Sequence, residues 1–269
     1  MWHDGRMPAR FSAQRYVGRE RELSRLAVSL EAAADGRSPR LLVSGRGGVG
    51  VSRLVTEAVR RVGRLSDPFQ VIRCTAVPAR SRAAYGPLIE GLTPWLDSLD
   101  QDELERVVGP GAEPIAWLLP GIAPRLAGAI RHARREQISP ERRSAWIAEA
   151  VQGLLERAGD RRPVLLVLED LHHADEGTRG LASFLARVAR PARACLLLTY
   201  GRDRITRGHP LQQALAAITG ASDPPAQLEL GPLDRGDLAQ LVAEIEGERP
   251  TAAALLLVAE RSGGDPLIA

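Results

Sequence analysis

Apolar residues recur along this chain in two alternating periods. In YVGRERELSRLAVSLEAA, Leu23, Leu26, Ala27 and Leu30 fall three or four residues apart, the spacing of one helical face. RLLVSG, residues 40–45, is instead a continuous apolar run that stops at glycine. After a glycine-rich stretch, Leu54, Val55, Ala58, Val59 and Val62 again form a helical stripe. The pattern predicts helix, strand, glycine loop, helix. FQVIRCTA (69–76) predicts a second strand, followed by a proline-containing connection and a helix around residues 87–99. Residues 101–140 are irregular and rich in Pro and Gly, with short helical pieces. Ser139-Pro140 then offers an N-cap and a first-turn proline for a helix to about Ala158. PVLLVLED (163–170) reads as a buried parallel strand ending in two carboxylates and ACLLLTY (194–200) as the next, with a helix from about Glu176 between them. A helix near 211–219, a strand QLEL (227–230), a helix capped by Asp234 with Leu238, Leu241, Val242 and Ile245 on one face, and a last helix near 251–262 complete the order. Repeated strand–helix units predict an α/β fold, a mainly parallel sheet covered on both faces, followed by a small helical segment.

Composition narrows the class. The 269 residues are 44% hydrophobic, which supplies a sizeable core and excludes disorder, and no apolar run is long enough to span a bilayer. MWHDGRMPARFSAQR has no apolar stretch of the kind a secretory signal needs, and the two cysteines, Cys74 and Cys195, stand far apart in apolar runs. A soluble protein of the reducing cytoplasm, with no membrane partner, is the expectation. All 36 basic residues are arginine, with no Lys and no Asn anywhere, and 33 acidic residues are interleaved with them for a net charge of +3. That balance by itself selects no anionic partner. Arg131 to Arg135, Arg142-Arg143 and Arg202 to Arg207 read as solvated helix faces, since no helix-turn-helix or aromatic-interleaved surface accompanies them.

Two places carry chemistry. Gly45-Arg46-Gly47-Gly48-Val49-Gly50-Val51-Ser52 fits the phosphate-loop pattern G-x-x-x-x-G-K-[ST] at every fixed position except lysine, where Val51 stands. Such a loop binds anions through backbone N–H groups and the dipole of the following helix, which need no side chain. The lysine adds charge stabilisation during phosphoryl transfer, so its loss bears first on hydrolysis. The alternative is a glycine-rich turn that meets no nucleotide. Glu169-Asp170 ends a buried strand, where open α/β sheets place their ligands; two carboxylates there could hold magnesium through water and orient an attacking water, or could simply be solvated or cap the next helix. His172 and His173 have no ligating cluster at metal spacing and read as wall residues.

The order of these stretches resembles the nucleotide-binding domain of AAA+-related signal-transduction ATPases with numerous domains (STAND), especially the N-terminal module of large LuxR-type transcriptional regulators. The resemblance rests on YVGREREL (16–23), LLVSGRGGVGVSRLV (41–55), AYGPLIEGL (84–92), PVLLVLEDLHHAD (163–175), LLLTYGRDR (196–204), LELGPLDRGDL (228–238) and SGGDPLIA (262–269). It implies a P-loop NTPase three-layer sandwich over residues 16–205, a flexible tail at 1–15, and a last strand with a partial helical lid at 206–269. It also implies ATP or ADP as ligand, with Mg2+. Val17, Gly18 and Arg19 would line the adenine pocket. Gly45, Arg46, Gly47, Gly48, Val49, Gly50, Val51, Ser52 and Arg53 would cradle phosphates, and Ser52 and Glu169 would serve the metal. Asp170 would activate water, and Pro266 would close the lid. The chain departs from the family at Val51, at His173 where tryptophan is common, and at Gly201 where a phosphate-sensing arginine is common. Arg202 and Arg46 are the cations nearest those losses. The expectation is a nucleotide-binding regulatory switch with weak or absent hydrolysis. The alternatives are a scaffold that binds no nucleotide, a competent ATPase with a substitute arginine, or an initiator-like DNA-binding ATPase. Self-association or other regulatory domains would be its partners, and DNA would be met only through domains outside these residues.

Overall fold

Five strands, β1 (Arg40–Gly45), β2 (Gln70–Thr75), β3 (Val164–Glu169), β4 (Ala194–Gly201) and β5 (Ala226–Leu230), pair in the order β2-β3-β4-β1-β5, every pair parallel. The computed structural model describes residues 15–65, 67–78, 84–130, 139–188 and 190–268. The expected tail up to residue 14 and the Arg131 to Arg135 group lie outside the described residues.

Side chains alternate across a strand, so an unbroken apolar run must be covered on both faces. Leu165, Val167, Cys195, Leu197, Leu41 and Val43 point into one core, closed by α1 (Glu20–Ala34) and α2 (Val51–Val62) through Leu23, Leu26, Leu54 and Ala58. Leu166, Leu168, Leu196, Leu198, Leu42, Ile72 and Cys74 point into the other. The second core is larger. It is built by α3 (Gly86–Ser98), α4 (Gln101–Val108), α5 (Ala112–Leu118), α6 (Ala123–Leu126), α7 (Pro140–Gly159), α8 (Glu176–Arg187) and α9 (Leu211–Thr219). Within residues 101–126 no helix exceeds 8 residues, a short window for a period. Even so, Leu104, Val108, Ile115, Leu118, Ile122 and Leu126 are all buried, and prolines sit in the first turns of α5 and α6, where no N–H is required. Burial pushes the thiols of Cys74 and Cys195 up to about 12, as befits core residues.

Beyond β5, α10 (Arg235–Glu246) and α11 (Ala252–Ser262) enclose a small third core of Leu233, Leu238 and Leu241, against which Val17, Leu255 and Val258 pack. Among the described residues no helix is long and apolar enough to cross a membrane.

One buried charge reports on α2. The Glu57 carboxylate accepts from Arg60 Nε at 2.7 Å and Arg61 Nε at 2.9 Å, and the Arg60 bond holds its carboxyl at about 2. A depressed acid stabilises the fold above its ordinary value near 4.5, and that contribution is lost as pH falls toward 2. The arginines are nearly half exposed, which screens the pair, so Glu57→Gln is expected to cost about 1 to 2 kcal/mol at pH 7. Urea denaturation of both proteins across pH should show the gap closing between pH 4.5 and 2. A gap unchanged at pH 2 would mean that packing, not charge, makes the difference.

Candidate functional site

Neighbouring strands β1 and β4 send the chain to opposite faces of the sheet, β1 into α2 and β4 toward α9. Connections that diverge in this way open a crevice at the carboxyl ends of the strands. Three loops converge there: the glycine loop after β1, residues 170–173 after β3, and residues 202–204 after β4. Gly48 and Gly50 adopt φ of 90° and 97°, a region that only glycine enters without strain, and a Cβ on Gly48 would lie 2.6 Å from Asp265 Oδ2. The glycines therefore permit both the turn and the close approach of the chain's end.

A cavity of about 440 Å³ lies over this loop, lined by Gly45 to Gly48, Gly50 to Arg53, Asp170, His172, His173, Tyr200, Gly201, Arg204, Pro266 and Leu267. A second, of about 610 Å³, shares Arg46 and Gly47 with the first and extends past Val49 to Leu230, Pro232 and Ser262. Val51 lines the first cavity while packing on the α1–α2 core, so no cation rises from that position. Ser52, one residue into α2, faces the cavity. Pro266 lies close to the loop, with its Cγ 3.9 Å from where a Gly50 Cβ would stand.

The two carboxylates after β3 part company. Glu169 is only 2% exposed and is engaged by Arg73 of β2, whose guanidinium also donates to Thr56 Oγ1 at 3.3 Å. It does not line the cavity. Asp170 does, in the left-handed region at φ 57°, which aspartate enters more readily than most side chains. Its N–H donates to Thr199 Oγ1 at 3.0 Å. Burial raises the Asp170 carboxyl above its ordinary range, with His173 and Arg73 pulling the other way. His172 accepts from the Gly201 N–H at 3.1 Å, and burial, with the positive charges around it, lowers it to about 4, so near neutral pH it is an uncharged wall residue. Asp175 caps α8 through Thr178 and accepts from the Tyr85 N–H at 2.8 Å, which ties this loop to the start of α3.

The Val17-Gly18-Arg19 segment sits behind the glycine loop and lines neither cavity. Arg19, 8% exposed, donates to the carbonyls of Val49 and Gly231 and pairs with Glu22. Arg202 points to the second cavity and pairs with Glu229 of β5. The cation that β4's end delivers over the loop is Arg204, expected from the sequence only as part of the solvated group Arg202 to Arg207 but placed by a 3-10 turn on the cavity wall. Asp203 was missed: its Oδ1 accepts the Gly47 N–H at 3.0 Å. The signal for both was their place in GRDR, directly after a buried strand's carboxyl end.

A parallel five-stranded sheet with a glycine loop between β1 and α2 defines a P-loop NTPase α/β fold. Residues 15–198 match the AAA ATPase domain family, and the chain belongs to that family. No curated protein matches it. Among solved structures, a Walker-type ATPase of Pyrococcus abyssi is similar at TM-score 0.52 and 14% identity, over 97% of this chain and 69% of its own. A structure of Drosophila ORC bound to DNA aligns at TM-score 0.49 and 16% identity, over 100% of this chain and 61% of its own. At such identity the first likeness is one of fold.

Proposed function

We propose that the chain is an ATP- or ADP-binding regulatory switch module of the STAND type, similar to the N-terminal part of LuxR-family regulators, with weak or absent hydrolysis. The observation that carries this reading is the glycine loop itself: its Gly47 N–H already holds an anion, the Asp203 carboxylate, while its lysine position is the half-buried Val51. The cradle suits phosphate and the catalytic cation is missing. Phosphates would occupy the first cavity and the base the second, with Arg19 supporting the loop from behind and Val17 packed on the small core beyond β5. Ser52 and Asp170 are the side chains on the cavity that fit a magnesium ion, since Glu169 is committed to Arg73. Magnesium, when bound, would neutralise phosphate charge.

Residues 206–269 form the last strand and a partial lid in this reading. ATP and ADP would differ in how they hold the segment from Asp265 to Leu267, so signalling rests on preference between states rather than on turnover. The proposed setting is the cytoplasm, with self-association or further regulatory domains as partners and DNA reached only through such domains.

Calorimetric titration with ATP and ADP, with and without magnesium, tests the reading. Binding near 1 μM, about −8 kcal/mol, is expected for the natural chain, and Val51→Lys should bind ATP about tenfold more tightly by adding a charge at the phosphates. No binding by the natural chain, with binding restored in Val51→Lys, would favour a scaffold that keeps the pocket only as architecture.

A further inference from the structure

The phosphate loop is held by the protein's own acid. Asp203 Oδ1 accepts the Gly47 N–H at 3.0 Å, and Asp203 Oδ2 lies 3.8 Å from Arg204 Nε. The Arg204 guanidinium in turn reaches within 3.7 Å of where a Gly47 Cβ would stand, and Arg204 lines the cavity. One carboxylate thus meets a loop N–H and a guanidinium, two groups that a nucleotide phosphate would seek there. Arg202, next in sequence, turns instead to Glu229 and the second cavity.

We propose that Asp203 is an internal competitor for the phosphate loop, and that Arg204, released when phosphate displaces Asp203, supplies the positive charge that Val51 does not. The proposal rests on the nucleotide-switch reading and names the regulation of that same site. Its chemistry is an exchange of anions. The bound carboxylate satisfies Gly47 N–H and partly neutralises Arg204 in the empty state, so a phosphate must first break both contacts, which lowers its apparent affinity. Once displaced, Asp203 is well placed to turn outward, its side chain already about one third exposed. The pair sits in a single short turn, residues 202–204, directly after β4, so the exchange moves the loop that follows the strand and leaves the sheet in place.

The test is calorimetric titration of the full chain with ADP and with ATP, magnesium present, in Asp203→Ala, Asp203→Asn, Arg204→Ala and the Asp203→Ala/Arg204→Ala double variant. Removing the competitor should raise affinity about tenfold in Asp203→Ala. Asp203→Asn, which keeps the shape and an accepting oxygen without the charge, should gain less. Arg204→Ala should lose about tenfold relative to the natural chain, and the double variant should fall below Asp203→Ala, since only the competitor's cost is relieved. Natural-chain binding that Asp203→Ala leaves unchanged or weakens would overturn it while the nucleotide reading stands. Silence from the natural chain, Asp203→Ala and Val51→Lys alike would overturn both. Melting temperatures of the variants near that of the natural chain would show that any loss arises at the site.

Discussion

Replacing Arg73 with alanine is expected to destabilise the fold by about 3 kcal/mol. Glu169 is buried at the end of β3 with its carboxylate against the Arg73 guanidinium, and removing the arginine leaves that buried acid without its partner. The estimate stays at the lower end for a broken buried pair because the Arg73 side chain is itself about 38% exposed. Arg73→Ala/Glu169→Gln should recover a substantial part of the loss, because the charge leaves together with its partner. Urea denaturation of the four proteins in this cycle gives the coupling directly. Additive single effects would mean that the pair is only a contact between neighbours. A strong coupling would show that Glu169 is committed to holding β2 and α2 to β3, through Arg73 and Thr56.

The contrast between Glu169 and Asp170 shows what a sequence of this kind reveals. The strands were legible because apolar runs such as residues 164–168 have one physical use, burial on both faces, and the loop was legible because glycines recur where backbone must bend. Both features are local. The partition of the two carboxylates depends on Arg73, 96 residues away and brought alongside only by the β2–β3 register that sets Thr75 opposite Glu169. In the same way the acid on Gly47 comes from 156 residues downstream, through the β1–β4 pairing that sets Gly45 opposite Gly201. The expectation that Arg202 faces the phosphates rested on proximity in sequence to Gly201. Two residues further along a 3-10 turn the direction has changed by about two thirds of a revolution, so Arg204 lies over the first cavity and Arg202 lies on the second. The helices of residues 101–126 escaped a periodic reading because none exceeds 8 residues, so a spacing such as Leu104, Val107 and Val108 is too brief to stand out as a stripe.

Arg19→Ala is expected to cost about 3 kcal/mol through loss of the side chain. The guanidinium bridges the carbonyls of Val49 and Gly231 and pairs with Glu22, so its removal leaves two carbonyls without that donor and opens space behind the glycine loop. The backbone distinguishes alanine from glycine at this position. Arg19 stands at φ 64° and ψ 28°, a left-handed position held in part by its N–H to Asp237 Oδ2 at 3.2 Å, and alanine there keeps the strain. Arg19→Gly loses the same side chain and none of the left-handed penalty, so it should be about 1 kcal/mol more stable than Arg19→Ala. Arg19→Lys should rescue little, because an ammonium lacks the planar fork that spans Glu22 and the two carbonyls. Thermal and urea unfolding of the three variants separates the contributions. Equal losses in Gly and Ala would remove the backbone term, and full rescue by Lys would reduce the bridge to a point charge. If the bridge is as the geometry describes, Arg19 couples α1, the phosphate loop through Val49 and the β5–α10 connection through Gly231. Nucleotide affinity should then weaken in step with the side-chain term alone, since only that term reaches the loop.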